Sequence, residues 1–219
     1  MLVERVGGLA VLVSAFVVAC SSGTTLGGGD GGTSSGMSSG TILAKPRVTF
    51  DSTIAPGTHT QVQCPRTGTW LTIGSFGNPA AGRVDPNDPT TPLQEPVRPV
   101  EDGGSDHGGT VAVSCSVKQA GAGFDVAAHA ELTGAPGGAV TVTGSFKPSG
   151  DSAGITLVLT KKGETFTATD CVAQFDATLG QAVAGGRVWA TVTCVNAAQA
   201  SAAQNCTTQA QLRFENCTE

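Results

Sequence analysis

Val111-Ala112-Val113-Ser114-Cys115-Ser116-Val117 and, a few residues on, Phe124-Asp125-Val126-Ala127-Ala128-His129-Ala130-Glu131-Leu132 decide how this chain folds. In the first stretch Val111, Val113, Cys115 and Val117 alternate with Ala112, Ser114 and Ser116. In the second, Phe124, Val126, Ala128, Ala130 and Leu132 alternate with Asp125, Ala127, His129 and Glu131. Successive side chains of an extended strand point to opposite faces, so a period of two sends one set inward and the other outward. Both stretches are therefore predicted to be strands with a single core face.

The same period recurs at Val140, Val142 and Phe146; at Ile155, Leu157 and Leu159; at Val188, Ala190, Val192 and Cys194; and at Ala210, Leu212 and Phe214. Between these runs lie turn-forming stretches: Gly134 to Gly138, Lys147 to Gly154, and Lys161-Lys162-Gly163, the last suited to a tight hairpin that needs a positive φ. With weaker segments near 47, 60 and 69, the expected fold is all-β, an antiparallel two-sheet β-sandwich of about nine short strands over 47–219. Seven Phe from Phe50 onward, Trp70, Trp189 and no Tyr suffice for one modest interior and do not suit a large enzyme with a deep, layered pocket. Two segments break the period. Asn196 to Gln204 is Ala-rich and is expected as a short helix at the tip of the last hairpin, and 74–109, rich in Pro and Gly, is expected as a long functional or disordered loop dispensable for folding.

The chain has seven cysteines. Cys64, Cys115, Cys171, Cys194, Cys206 and Cys217 form an even set within the β region, which reads as disulfides made in an oxidising compartment. If 207–216 is one strand, its roughly 3.3 Å rise per residue holds Cys206 and Cys217 too far apart to bond. Cys194 and Cys206 flank the last hairpin loop and are paired on that ground. Cys171 is then paired with Cys217, and Cys64 with Cys115 across the long loop. Zinc ligation is the rival use, but no C-x-x-C or Cys/His pair supports it.

Upstream, Val6 to Ala19 is an apolar run of 14 residues, too short to span a bilayer and of the right length for the apolar part of an export signal. It ends in Val17-Val18-Ala19-Cys20, which resembles the lipobox of bacterial lipoproteins. The resemblance covers only the first 23 residues. It implies a signal peptide at 1–19, removed by a signal peptidase of the lipoprotein type, and lipidation of Cys20, whose acyl chains would hold the mature chain at a membrane. Ser21 at the next position implies the outer membrane if the host is Gram-negative. Glu4 beside Arg5 departs from the usual positive start. From Ser21 to Gly40, 17 of 20 residues are Gly, Ser or Thr, so 20–46 is expected to be a flexible tether. Its G-x-G-x-x-G and G-x-S-x-G matches stand between no strand and helix and are assigned to chance.

The net charge of −5 disfavours nucleic acid as a partner. His59, His107 and His129 have no framed serine near them in sequence, so no catalytic residue is assigned and the chain is read as a non-enzyme without a cofactor. His129 alternates outward with Asp125 and Glu131 and reads as part of a solvated face. In the long loop Asp85, Asp88, Asp102 and Asp106 are weak calcium candidates, although the spacing is not that of an EF-hand. The expected role is a membrane-anchored cell-envelope lipoprotein with a structural or binding β domain, its partner an envelope protein or glycan. The alternatives are a carrier of an apolar ligand between the sheets and, behind it, an envelope hydrolase.

Overall fold

The computed structural model describes residues 44–219 apart from 58–63, 65, 78, 86–87, 95–96, 136 and 200–203, and within 79–94 it describes the backbone alone. The signal, Cys20 and nearly all of the tether lie outside the described residues, as does His59. The strands are β1 (Arg47–Pro56), β2 (Gly68–Ile73), β3 (Pro79–Asp85), β4 (Asp88–Gln94), β5 (Val100–Glu101), β6 (Ser105–Asp106), β7 (Gly109–Ala120), β8 (Gly123–Leu132), β9 (Gly138–Phe146), β10 (Ser152–Lys161), β11 (Glu164–Gln174), β12 (Ala182–Ala184), β13 (Arg187–Gln199) and β14 (Gln204–Glu215). A single 3-10 turn, Ala177–Leu179, is the only helical element among the described residues.

The all-β reading holds, and the core faces are those the alternation predicts: Val111, Val113, Val117, Val126, Ala128, Ala130 and Leu132 are buried. The arrangement differs from the expected sandwich. Twelve strands join one continuous sheet in the order β2-β1-β14-β13-β11-β10-β9-β8-β7-β6, with β5 on β1 and β12 on β13. This antiparallel sheet curls into a nearly closed barrel. At the seam, β5 pairs with the start of β1, and Gly103 and Gly104 of the following turn exchange hydrogen bonds with Val111 of β7 at 2.8 Å each. Alternation reports which face of a strand is buried and not what the strand pairs with, so a sandwich and a barrel look alike in sequence. Bulges help the sheet to curl. The one in β1 between Ser52 and Thr53 is stitched by Ser52, whose buried hydroxyl lies 3.2 Å from the Leu71 N–H and 3.3 Å from the Leu71 carbonyl.

Phe50, Phe146, Phe166 and Phe214 fill the interior, each at most 1 % exposed, with Ile155, Leu157, Leu159 and Leu212 around them. Trp70 closes on Phe166 edge to face at 5.3 Å. The outer face carries Asp51, Thr53, Thr167, Gln209 and Gln211, the reverse of a membrane-spanning barrel, which needs an apolar band outside. Among the described residues only Leu179 and Val195 are large hydrophobics left exposed. The Lys161 to Gly163 hairpin is as read: Lys162 and Gly163 take φ of 51° and 78°.

Two expectations about irregular segments are corrected. No helix caps the last hairpin: β13 runs extended through Gln199, opposite Gln204 of β14. The segment 74–109 is not structureless, since β3 pairs with β4 and the two ends are built into the barrel. Ser75 and Arg98 exchange backbone hydrogen bonds, Phe76 stacks on Trp189 at 6.3 Å, and Val100 packs against the core.

Candidate binding groove and the disulfide frame

All six cysteines of the domain form disulfides, but with other partners than expected. The pairs are Cys64–Cys206, Cys115–Cys217 and Cys171–Cys194. Cys194 does not face Cys206, because β13 bulges between Cys194 and Ala197 and sets Cys206 opposite Ala197. Cys194 instead turns inward toward Cys171 on β11, with Cα atoms 4.2 Å apart. Cys206 lies opposite Pro56, the end of β1, so the chain leaving β1 brings Cys64 to it. Cys217, past the end of β14, reaches β7. The inference that Cys206 and Cys217 sit at opposite ends of one strand holds, since β14 spans 204–215. Three disulfides suit a protein made outside the reducing cytoplasm.

An open groove of about 1110 Å³ lies on the outside of β7, β8 and β9. Cross-strand register builds its floor in two rows: Ser114, His129 and Thr141, then Ser116, Ala127 and Thr143. These side chains are short, so the floor is shallow and mixes hydroxyls with methyl groups. Beside the β7 edge, Ala44 to Pro46 and the chain end from Asn216 to Glu219 also line it. These two segments are joined by the Asn216 Nδ2, which donates to the Lys45 carbonyl at 2.9 Å, and the Lys45 Nζ donates in turn to the Asp102 carbonyl at 3.3 Å.

His129 points outward as read, but it is half-buried, and its Nδ1 lies 2.9 Å from the Thr141 hydroxyl. That contact orients the ring, and among the described residues no carboxylate is hydrogen-bonded to it in the manner of a catalytic triad. His107 sits at a turn tip with φ of 46°, its Nδ1 2.9 Å from Asp106 Oδ2. The same Asp106 carboxylate accepts the Gly74 N–H at 2.8 Å, so it fastens the start of the 74–109 segment to its end.

Of the calcium candidates, Asp102 and Asp106 are engaged by backbone N–H groups: Asp102 accepts the Val113 N–H at 2.8 Å and Asp106 that of Gly74, so each caps backbone at the seam. Asp85 and Asp88 are register partners across the β3–β4 turn. No group of three or more His, Cys, Asp or Glu able to hold a metal occurs among the described residues.

A charged cluster that sequence reading missed stands on the outer face of β1, β14 and β13. Glu215 accepts Arg47 at 2.8 Å and Arg213 at 2.7 Å, and Arg213 lies over the Trp189 ring at 4.9 Å. Burial pushes the Glu215 carboxyl up, and the hydrogen bonds and charges of Arg213 and Arg47 outweigh it, so its pKa falls below the ordinary value. The signal was weak: Arg213 and Glu215 share a face two residues apart, but Arg47 joins them only through the β1–β14 register. Compared with known proteins, the chain matches no protein-family profile, no curated protein and no solved structure.

Proposed function

We propose that this chain is a cell-envelope lipoprotein, exported, lipidated on Cys20, and presenting a rigid, non-catalytic β domain that works by binding or by structure. The observation that carries the reading is the cysteine account. Of seven cysteines, six are used in disulfides of the barrel, and the seventh, Cys20, stands at the end of the lipobox-like Val17-Val18-Ala19-Cys20. A polar barrel exterior and a filled interior support a water-exposed module held near a membrane by an anchor. The groove over β7 to β9 is the surface such a module would offer to an envelope protein or glycan. The carrier alternative needs interior room, and Phe50, Phe146, Phe166 and Phe214 occupy it.

Detergent phase separation of wild type and Cys20→Ala, expressed in a bacterial host that processes lipoproteins, tests the reading. The mature wild type should enter the detergent phase and the variant should not gain the lipid mass. Wild type recovered in the aqueous phase after cleavage would overturn it.

A further inference from the structure

The three disulfides do different jobs. Cys171–Cys194 joins β11 to β13, strands already hydrogen-bonded to each other, and both residues are wholly buried. Cys64–Cys206 is nearly as enclosed, at 6 % and 0 % exposure. Cys217 is buried too, at 8 % exposure, and Cys115, packed against the core from the edge strand β7, is the one cysteine of the six that is only partly buried. Of the three bonds, Cys115–Cys217 is the least enclosed.

What the third bond holds is the chain end against the edge of β7. Thr218 N–H donates to the Cys115 carbonyl at 3.0 Å and Val117 N–H to the Thr218 carbonyl at 2.9 Å. The turn between β12 and β13 joins in: Cys217 N–H donates to the Gly186 carbonyl at 2.9 Å and Gly186 N–H to the Val117 carbonyl at 3.1 Å. The other half of the edge is covered independently, by Gly103, Gly104 and the Asp102 carboxylate. Without the tail, the Cys115 carbonyl and the Val117 N–H lose their partners, and an edge strand with unpaired groups is a template for another chain.

We propose that Cys115–Cys217 is a thiol–disulfide exchange site, a redox latch on the β7 edge that dithiol reductants open ahead of the other two bonds, and whose opening frees Cys217 to Glu219 from β7 while the barrel stays folded. One thiolate of the dithiol attacks a sulfur of the pair. The S–S bond breaks, a mixed disulfide forms, and the bonding electrons leave on the other cysteine, which takes up a proton. The second thiolate of the reductant then displaces the remaining cysteine as a thiol, and the reductant ends as its own disulfide. Two electrons pass to the protein. The barrel survives because Cys64–Cys206, Cys171–Cys194 and the Phe-filled interior are untouched by the step.

Limited reduction tests this on the full chain as purified. Free thiols are blocked with iodoacetamide, dithiothreitol is added at low concentration without denaturant, and newly freed thiols are labelled with a second reagent and mapped by mass spectrometry. Cys115 and Cys217 should label about tenfold or more ahead of the other four, as accessibility governs exchange. Amide exchange should rise at Val117 and Thr218 with far- and near-ultraviolet circular dichroism unchanged. Either other bond opening first, all six labelling together, or loss of near-ultraviolet signal with the first bond overturns the proposal. Thr218→Pro removes both the N–H and the hydroxyl that donate to the Cys115 carbonyl and replaces neither cysteine. It should speed labelling at Cys115 and Cys217 alone, and unchanged rates would count against the tail as the latch.

Discussion

Phe214→Ala probes whether the barrel is a filled, closed interior. Phe214 is wholly buried on β14 and stands in register with Val48 of β1 and Val188 of β13, both also wholly buried. Truncating a buried Phe to Ala costs about 3–5 kcal/mol, and the figure depends on how far the site can collapse. Collapse is restricted here because β14 is hydrogen-bonded along its length on both sides. The upper part of the range applies, about 4 kcal/mol, a large share of a typical stability on the order of 5–15 kcal/mol. For a domain of this size that is a fall in Tm of about 8–16 °C. Urea unfolding of wild type and variant with disulfides intact measures it, and the slope m should not change. The control is Val195→Ala, because Val195 is 53 % exposed, and it should stay within about 0.5 kcal/mol of wild type. A loss below about 1.5 kcal/mol for Phe214→Ala at constant m would refute the filled interior.

Gly109→Ala should destabilise by about 2 kcal/mol or more in the same assay, because the added Cβ would meet the Thr133 carbonyl oxygen at 1.7 Å and the strand must shift. Asp102→Ala should cost about 1–3 kcal/mol by leaving the Val113 N–H without its acceptor, whereas replacing 79–94 with a short Gly/Ser linker should change Tm little. The Glu215 carboxyl titrates below its ordinary value of 4.5 in the fold, so its stabilisation is present above that value and lost as pH falls through the lower, folded pKa. Stability measured from pH 5 downward should therefore fall less steeply in Glu215→Gln than in wild type, and equal slopes would contradict the Arg47–Glu215–Arg213 cluster as an acid-sensitive tie. Non-reducing peptide mapping should recover Cys64 with Cys206, Cys115 with Cys217 and Cys171 with Cys194.

What the sequence made legible follows from what local pattern encodes. The inward sets at 111–117, 124–132 and 210–214 and the turn at Lys162-Gly163 are visible because face and φ are properties of a residue and its neighbours. Pairing is a property of distant segments. Nothing near Cys194 announces the bulge that moves Cys206 opposite Ala197, and nothing near Cys217 announces β7 as its neighbour. The segment 74–109 hid for a similar reason: Asp102 and Asp106 look like hard ligands in a loop, and only the fold reveals them as acceptors for Val113 and Gly74. His129 was placed on the correct face, but its contact with Thr141 and its place in the groove depend on the β8–β9 register.

The reading of this chain as an envelope lipoprotein rests on Cys20, and the mass of the N-terminal peptide of the mature protein tests it most directly. Protein purified from membranes of an expressing bacterium and digested without reduction should yield a peptide that begins at Cys20 and carries a diacylglyceryl group. A mature chain that begins elsewhere, or one that begins at Cys20 with an unmodified thiol, would contradict the account.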